Sequence, residues 1–99
     1  MADVVTSHKT DQHRYEARVD GELAGFIEYR ESEGRVNLFH TEVDDRFEGQ
    51  GIGSKLARFA LDDLRDDPDR RALATCPFIV KWVEKHPEYA EAVETPAAD

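Results

Sequence analysis

The stretch Phe47-Glu48-Gly49-Gln50-Gly51-Ile52-Gly53-Ser54-Lys55-Leu56 constrains this chain more than any other. Three glycines at alternate positions open directly into an amphipathic helix, and a run ending in His40-Thr41-Glu42-Val43 precedes them. A loop of this kind bares backbone N–H groups at the positive end of a helix dipole, where a phosphate or pyrophosphate binds without a side chain. Glycine serves there because a side chain would hold the anion off the backbone and resist positive φ. Two familiar phosphate motifs are excluded. Ser54 occupies the third glycine's place in G-x-G-x-x-G, and G-x-x-x-x-G-K-[ST] does not fit. The competing reading is a turn that merely lets a strand enter a helix, but three alternate glycines exceed what a turn needs.

Periodicity supplies the frame around the loop. His13 to Val19 alternates, with Tyr15, Ala17 and Val19 on one side. Asp20-Gly21 then predicts a hairpin into a strand from Leu23 to Arg30, and Glu33-Gly34 a second turn into Arg35 to Val43. Alternation along that third strand puts Val36, Leu38, His40 and Glu42 on one face. A helix is expected from about Gly51 to Asp66, its apolar arc made of Ile52, Leu56, Phe59, Ala60 and Leu64. Asp63 falls inside that arc and is a misfit. Asp66-Asp67-Pro68-Asp69 stops the helix. A short strand from Arg71 to Thr75 follows, parallel to the third strand by the right-handed βαβ rule. Pro77 to Lys85 reads as a helix burying Phe78, Ile79, Trp82 and Val83, and Pro87 starts a last short helix ending near Val93. Residues 1–12 lack a pattern and read as a flexible arm, and 94–99 as a frayed tail.

At 99 residues the chain is one domain with a modest core, too short for two nucleotide-binding halves. No apolar stretch approaches a membrane span and the first twelve residues are polar, so no signal peptide or membrane association is expected. A single cysteine excludes an internal disulfide and fits a cytoplasmic location. The net charge of −9 argues against nucleic-acid binding and favours a basic partner, although solubility alone accounts for it. The four histidines show no metal spacing, so no metal site is expected.

The loop also matches the acyl-CoA loop of the Gcn5-related N-acetyltransferases: Arg or Gln, two residues, Gly, one residue, then Gly or Ala. Gly51 and Gly53 match the glycines, while Glu48 stands where that superfamily has Arg or Gln. More closely, the chain resembles the small, truncated branch of the superfamily, the minimal acetyltransferase-like domains. The resemblance runs over residues 13–93 and joins four motifs in order: His40 to Val43, Glu48 to Gly53, Cys76 to Phe78, and His86 to Tyr89. It implies an α/β (α+β) fold of the truncated acetyltransferase type, with a three-stranded antiparallel meander, one parallel strand, and helices packed on the sheet. It further implies acetyl-CoA as cofactor and transfer to an unidentified amine, such as a small molecule, a polyamine or a Lys-containing peptide. Val43, Gly49, Gln50, Gly51, Ile52, Gly53 and Ser54 would bind the cofactor. A monomer or weak homodimer is expected. The alternative is a CoA-binding or protein-interaction module with little or no transferase activity, because the helices and late strands that wall the acceptor site in full-length relatives are missing from this sequence.

Three side chains are candidates for the chemistry. Pro77 in the first helical position puts Cys76 at or beside an N-cap, where the dipole favours a thiolate. A family cysteine at this position faces the bound acetyl group, which makes a partly accessible, reactive thiol the expectation and an acetyl-Cys76 intermediate a variant route. The competing reading is a small buried hydrophobe. His40 and Glu42 share a strand face and either is placed to take a proton from an incoming amine. The alternatives are a half-buried hydrogen-bonding His40 and a solvated Glu42. His86 is expected to cap a helix or touch the CoA tail, and Tyr89 to pack. His8 and His13 look incidental.

Overall fold

The computed structural model describes residues 3–95. The chain builds a six-stranded sheet whose spatial order follows the sequence, β1 to β6. The strands are β1 Val4–Lys9, β2 Arg14–Val19, β3 Glu22–Ser32, β4 Arg35–Val43, β5 Arg71–Ala74 and β6 Val93–Glu94. Two helices, α1 Ile52–Arg65 and α2 Pro77–Lys85, link β4 to β5 and β5 to β6. β1 to β4 pair antiparallel, and β5 runs parallel to both β4 and β6.

Both predicted hairpins form for the expected reason. Asp20 and Gly21 take φ of 51° and 82°, and Glu33 and Gly34 take 52° and 80°. Paired positive φ values give the turn whose twist matches right-twisted strands. Both helices begin where the punctuation placed them, α1 after Gly51 and α2 at Pro77.

Four expectations need correction. Residues 4–9 are not a loose arm: they form an edge strand along the whole of β2, from Val4 opposite Val19 to Lys9 opposite Arg14. The antiparallel part of the sheet therefore has four strands rather than three. The segment after Pro87 is a single 3-10 turn, Pro87–Tyr89, and then β6, so Glu94 belongs to a strand rather than to a frayed tail. Residues 1–2 and 96–99 of the expected arm and tail lie outside the described residues. Finally, Phe78 is not buried but 41% exposed.

The two crossovers step the same way across the sheet, so right-handedness puts both helices on one face. Their meeting is direct: Trp82 Nε1 donates to Ser54 Oγ at 2.9 Å. The core lies between this helix layer and Tyr15, Ala17, Ile27, Tyr29, Val36 and Leu38 of the sheet. From α1 it takes Ile52, Leu56, Ala60 and Leu64 as expected, with Ala57 and Leu61 in addition, while Phe59 is only partly buried. Full burial of one such large side chain contributes about 1.5–3 kcal/mol. Asp63 is explained by partners from far away in sequence. Its carboxylate accepts from Tyr15 Oη at 2.9 Å and stands 3.4 Å from His8 Nδ1. His8 also stacks on Tyr15 at 4.2 Å and contacts Tyr29 Oη at 2.7 Å, so it ties β1 to α1 and is not incidental.

No described element covers the opposite sheet face. On that face Glu16 of β2 is 1% exposed, under the guanidiniums of Arg14 and Arg18. Burial pushes the Glu16 carboxyl up, but the two arginines outweigh it and hold it below the ordinary range.

Candidate functional site

Parallel pairing of β4 with β5 ends at Leu38 and Ala74. Leu38 O still accepts from Thr75 N and Cys76 N, both at 3.1 Å. Past that point β5 gives way to α2, while β4 runs on to Val43 with only β3 beside it. A slot opens there. Asp44 N donates to Ala24 O at 2.8 Å, so backbone alternation aims the amide groups of Val43 and Thr41 away from β3 and into the slot.

The glycine loop stands at the mouth of this slot. Gly49 and Gly51 have φ of 82° and 72° with open space beside them, so their glycine identity is set by backbone conformation. Gly51 is the N-cap of α1 and offers no side chain, and the first intrahelical bond there is Lys55 N to Gly51 O at 3.0 Å. The N–H groups of Ile52, Gly53 and Ser54 therefore have no intrahelical acceptor. Gly53 has a different cause. A Cβ there would stand 2.7 Å from Phe78 Cζ, so this glycine admits the ring of α2.

Together these elements enclose a cleft of about 360 Å³ lined by Val43, Gly49, Gly51, Ile52, Gly53 and Ser54 from the expected set. Phe47, Glu48, Phe78 and Trp82 complete the lining, and Gln50 stands outside it. The three aromatic walls were not legible beforehand, since each reads as ordinary core on its own helix or turn. Glu48 is exposed at the rim, as its departure from the family pattern requires. Arg58 is not free to neutralise it, because its guanidinium lies 5.5 Å over Trp82 and bonds Tyr89 Oη at 3.2 Å. Tyr89 is buried and also donates to Asp62 at 2.7 Å, and His86 Nδ1 meets Trp82 O at 2.8 Å, so both serve packing and capping.

Cys76 is the N-cap of α2 and its thiol lies 3.4 Å from Thr41 Oγ1, at the inner end of the slot. It is only 5% exposed, which corrects the expectation of a partly accessible thiol. His40 and Glu42 do not join it. β4 carries one extra residue against β3, since Glu28 faces His40 while Tyr29 faces Leu38. This bulge at Phe39 resets the alternation. Thr41 and Val43, opposite Ile27 and Gly25, now share the helix side with Leu38, and His40 and Glu42 move to the uncovered face. There His40 Nε2 stands 3.5 Å from Glu42 Oε1 and its ring 6.1 Å from Phe26. The expected grouping of Val36, Leu38, His40 and Glu42 on one face is therefore wrong.

A wider hollow of about 610 Å³ lies at the other end of the parallel strands. Its cations are already matched: Arg71 and Arg35 with Glu94 at 3.3 and 3.7 Å, and Arg70 with Glu31 at 3.1 Å. Ligands of parallel sheets gather at the carboxyl ends of the strands, where the smaller cleft is.

The arrangement is an open slot between two parallel strands with a glycine-led helix at its mouth. The chain belongs to the GCN5-related N-acetyltransferase family, whose model matches residues 14–92. It is 43% identical to protein NATD1 of Bos taurus over 61 residues, which are 60% of this chain and 53% of that protein. Against protein NATD1 of Mus musculus the identity is 33% over 91 residues, 88% of this chain and 82% of that one. The match thus spans about half the length of the Bos taurus relative. Among solved structures, the ribosomal-protein-alanine N-acetyltransferase of Brucella melitensis biovar Abortus 2308 superposes with a TM-score of 0.61 at 18% identity, covering 99% of this chain and 93% of that one. The ribosomal-protein-S18-alanine N-acetyltransferase of Escherichia coli gives 0.52 at 18%, over 66% and 60%. These two likenesses are of fold.

Proposed function

We propose that the protein is an acetyl-CoA-dependent N-acetyltransferase that acylates an amine by direct attack on the thioester. The observation that carries this reading is the coincidence of three features: unpaired α1 N–H groups, outward-aimed Val43 and Thr41 amides, and the glycine-lined cleft joining them. Such a site fits a pyrophosphate followed by a chain of amides, which is the chemistry of CoA. When bound, acetyl-CoA would supply an activated acetyl group. The N–H groups of Ile52, Gly53 and Ser54 would hold the phosphates, and Val43, Ile52, Phe78 and Trp82 would exclude water from the arm between phosphate and sulfur.

The amine would enter from the uncovered face, where His40 and Glu42 are exposed beside the slot. His40, held by Glu42, or water would take the proton that the ammonium must lose before its nitrogen attacks. The new C–N bond forms as the C–S bond breaks, and the CoA sulfur leaves as thiolate. Phe39, which the bulge leaves without a partner on β3, would offer its backbone N–H as a donor to the carbonyl oxygen. A burial of 95% at Cys76 speaks for a wall residue over an acetyl-Cys76 route.

The test is to incubate the protein with acetyl-CoA and a panel of alkylamines, polyamines and Lys-containing or N-terminal peptides while following CoA release. Release that requires an amine, and that falls sharply in Gly51→Val, supports transfer at this cleft. Saturable CoA binding without turnover on any acceptor would replace the reading by a CoA-binding module. One observation favours that second reading: the helix-side cleft wall carries no acid–base side chain apart from the rim carboxylate of Glu48.

A further inference from the structure

We infer that Trp82 is a positioning residue for phosphate recognition, acting through the hydroxyl of Ser54. This rests on the reading of the cleft as a CoA site and adds to it a side-chain donor and the group that aims it.

A serine hydroxyl has one proton to give and two lone pairs to receive, whereas an indole N–H only gives. In the 2.9 Å contact between Trp82 Nε1 and Ser54 Oγ, tryptophan is therefore the donor. That leaves the serine proton uncommitted. Serines inside helices often turn the hydroxyl back onto a carbonyl one turn earlier. Among the described side-chain hydrogen bonds Ser54 makes only the one from Trp82, so its hydroxyl is held out rather than folded back. It lines the cleft beside Val43, Phe47, Ile52 and Phe78, whose side chains offer that proton no acceptor, and no described hydrogen bond joins it to the rim carboxylate of Glu48. A phosphate oxygen at the N-terminus of α1 is the acceptor whose chemistry matches. Accepting from the indole also makes the hydroxyl a better donor, since linked hydrogen bonds polarise one another.

The indole is itself fixed on several sides. His86 stacks on it at 3.9 Å with a 16° interplanar angle, Tyr89 lies at 5.1 Å, and the Arg58 guanidinium sits 5.5 Å over the ring. Any large aromatic would fill this space. Only tryptophan also carries an N–H to the first turn of α1.

A double-mutant cycle on binding tests this, with CoA and the phosphate-free fragment pantetheine as probes. Ser54→Ala is expected to weaken CoA about tenfold, the size of one hydrogen bond to a charged acceptor. Trp82→Phe, which keeps the packing, should weaken it several-fold, and the double variant should be no weaker than Ser54→Ala. Pantetheine, followed by amide shifts, should bind Ser54→Ala as it binds the wild type. Ser54→Thr, which keeps a hydroxyl, should restore most of the CoA affinity. The chain's single tryptophan gives one indole N–H resonance, which should move on adding CoA to the wild type and move less in Ser54→Ala. Additive losses in the double variant, or equal losses for pantetheine, overturn the inference. If Trp82→Phe does not fold, unequal Ser54→Ala and Ser54→Thr affinities together with the indole shift decide the matter. Failure of the wild type to bind CoA at all would instead remove the reading of the cleft, a result distinct from failure of the cycle.

Discussion

Gly25→Ala is the substitution that most directly probes how the helix layer is seated on the sheet. Gly25 pairs with Val43 at the mouth of the slot, and its Cβ would lie 2.8 Å from Glu42 O, 3.1 Å from Ile52 Cγ2 and 3.2 Å from Leu56 Cδ1. Apolar carbons prefer about 3.5–4.0 Å, so the added methyl overlaps three neighbours. The nearest is backbone of a strand residue paired with Phe26 of β3 and cannot step aside alone. Overpacking of this kind costs about 1–3 kcal/mol, and the lost freedom of the unfolded chain returns roughly 0.4–1 kcal/mol. A net loss of about 1.3 kcal/mol lowers Tm by roughly 5–10 °C for a domain of this size. Calorimetric and urea unfolding should both report it, with an unchanged urea slope. Because relief requires α1 to lift from β3 and β4, CoA affinity should fall as well. Gly53→Ala is the control: its clash is with the far end of Phe78, which can swing away, so stability should change by under about 1 kcal/mol. Equal stability of Gly25→Ala and wild type would refute the reasoning.

Other outcomes follow from the same geometry. Burial pushes the His8 ring below its ordinary pKa of 6.5, against the pull of Asp63 and Glu31 and with the push of Arg70. Below about pH 6.5 the unfolded chain then holds a proton the folded one lacks, so stability falls as pH drops through that window. His8→Asn should flatten the difference in urea midpoint between pH 7.5 and 5.5, and an unchanged difference would count against the assignment. Cys76 should react with iodoacetamide at least about tenfold more slowly in the folded than in the urea-unfolded protein, given its burial. Fast alkylation blocked by acetyl-CoA would return the thiol to the list of nucleophiles. Glu48→Gln should tighten CoA binding by roughly 2–5-fold at low salt and by little at high salt, since rim charges are screened. An effect that ignores salt would mean that Glu48 acts on the loop's shape instead.

What the sequence made legible was whatever depends on neighbours a few residues away. Asp20-Gly21 and Glu33-Gly34 specify their turns, Pro77 specifies the start of α2, and Gly51 the start of α1, all through backbone conformation. The parallel pairing of β5 with β4 was legible too, through the right-handed crossover rule. The edge strand β1 was hidden, since Val4 to Lys9 shows no clean alternation and its reason to exist is β2. Asp63 remained a misfit until its partner Tyr15, 48 residues away in sequence, was in place. The bulge at Phe39 did the most damage. One unpaired residue inverts every later side chain, so a correct strand yielded the wrong face for His40 and Glu42. The aromatic lining was missed because Phe47, Phe78 and Trp82 meet only once α2 has folded against α1.

With both helices on one side, the sheet acts as a partition with a doorway past Leu38. Under the proposed reaction the two substrates use different sides of it: CoA lies along the helix side and the amine arrives from the bare side. Neither must depart to admit the other, so both are held together at turnover and either can arrive first. Initial rates should then give intersecting rather than parallel double-reciprocal lines. An unreactive amine mimic should leave the KM for acetyl-CoA nearly untouched while lowering the maximal rate.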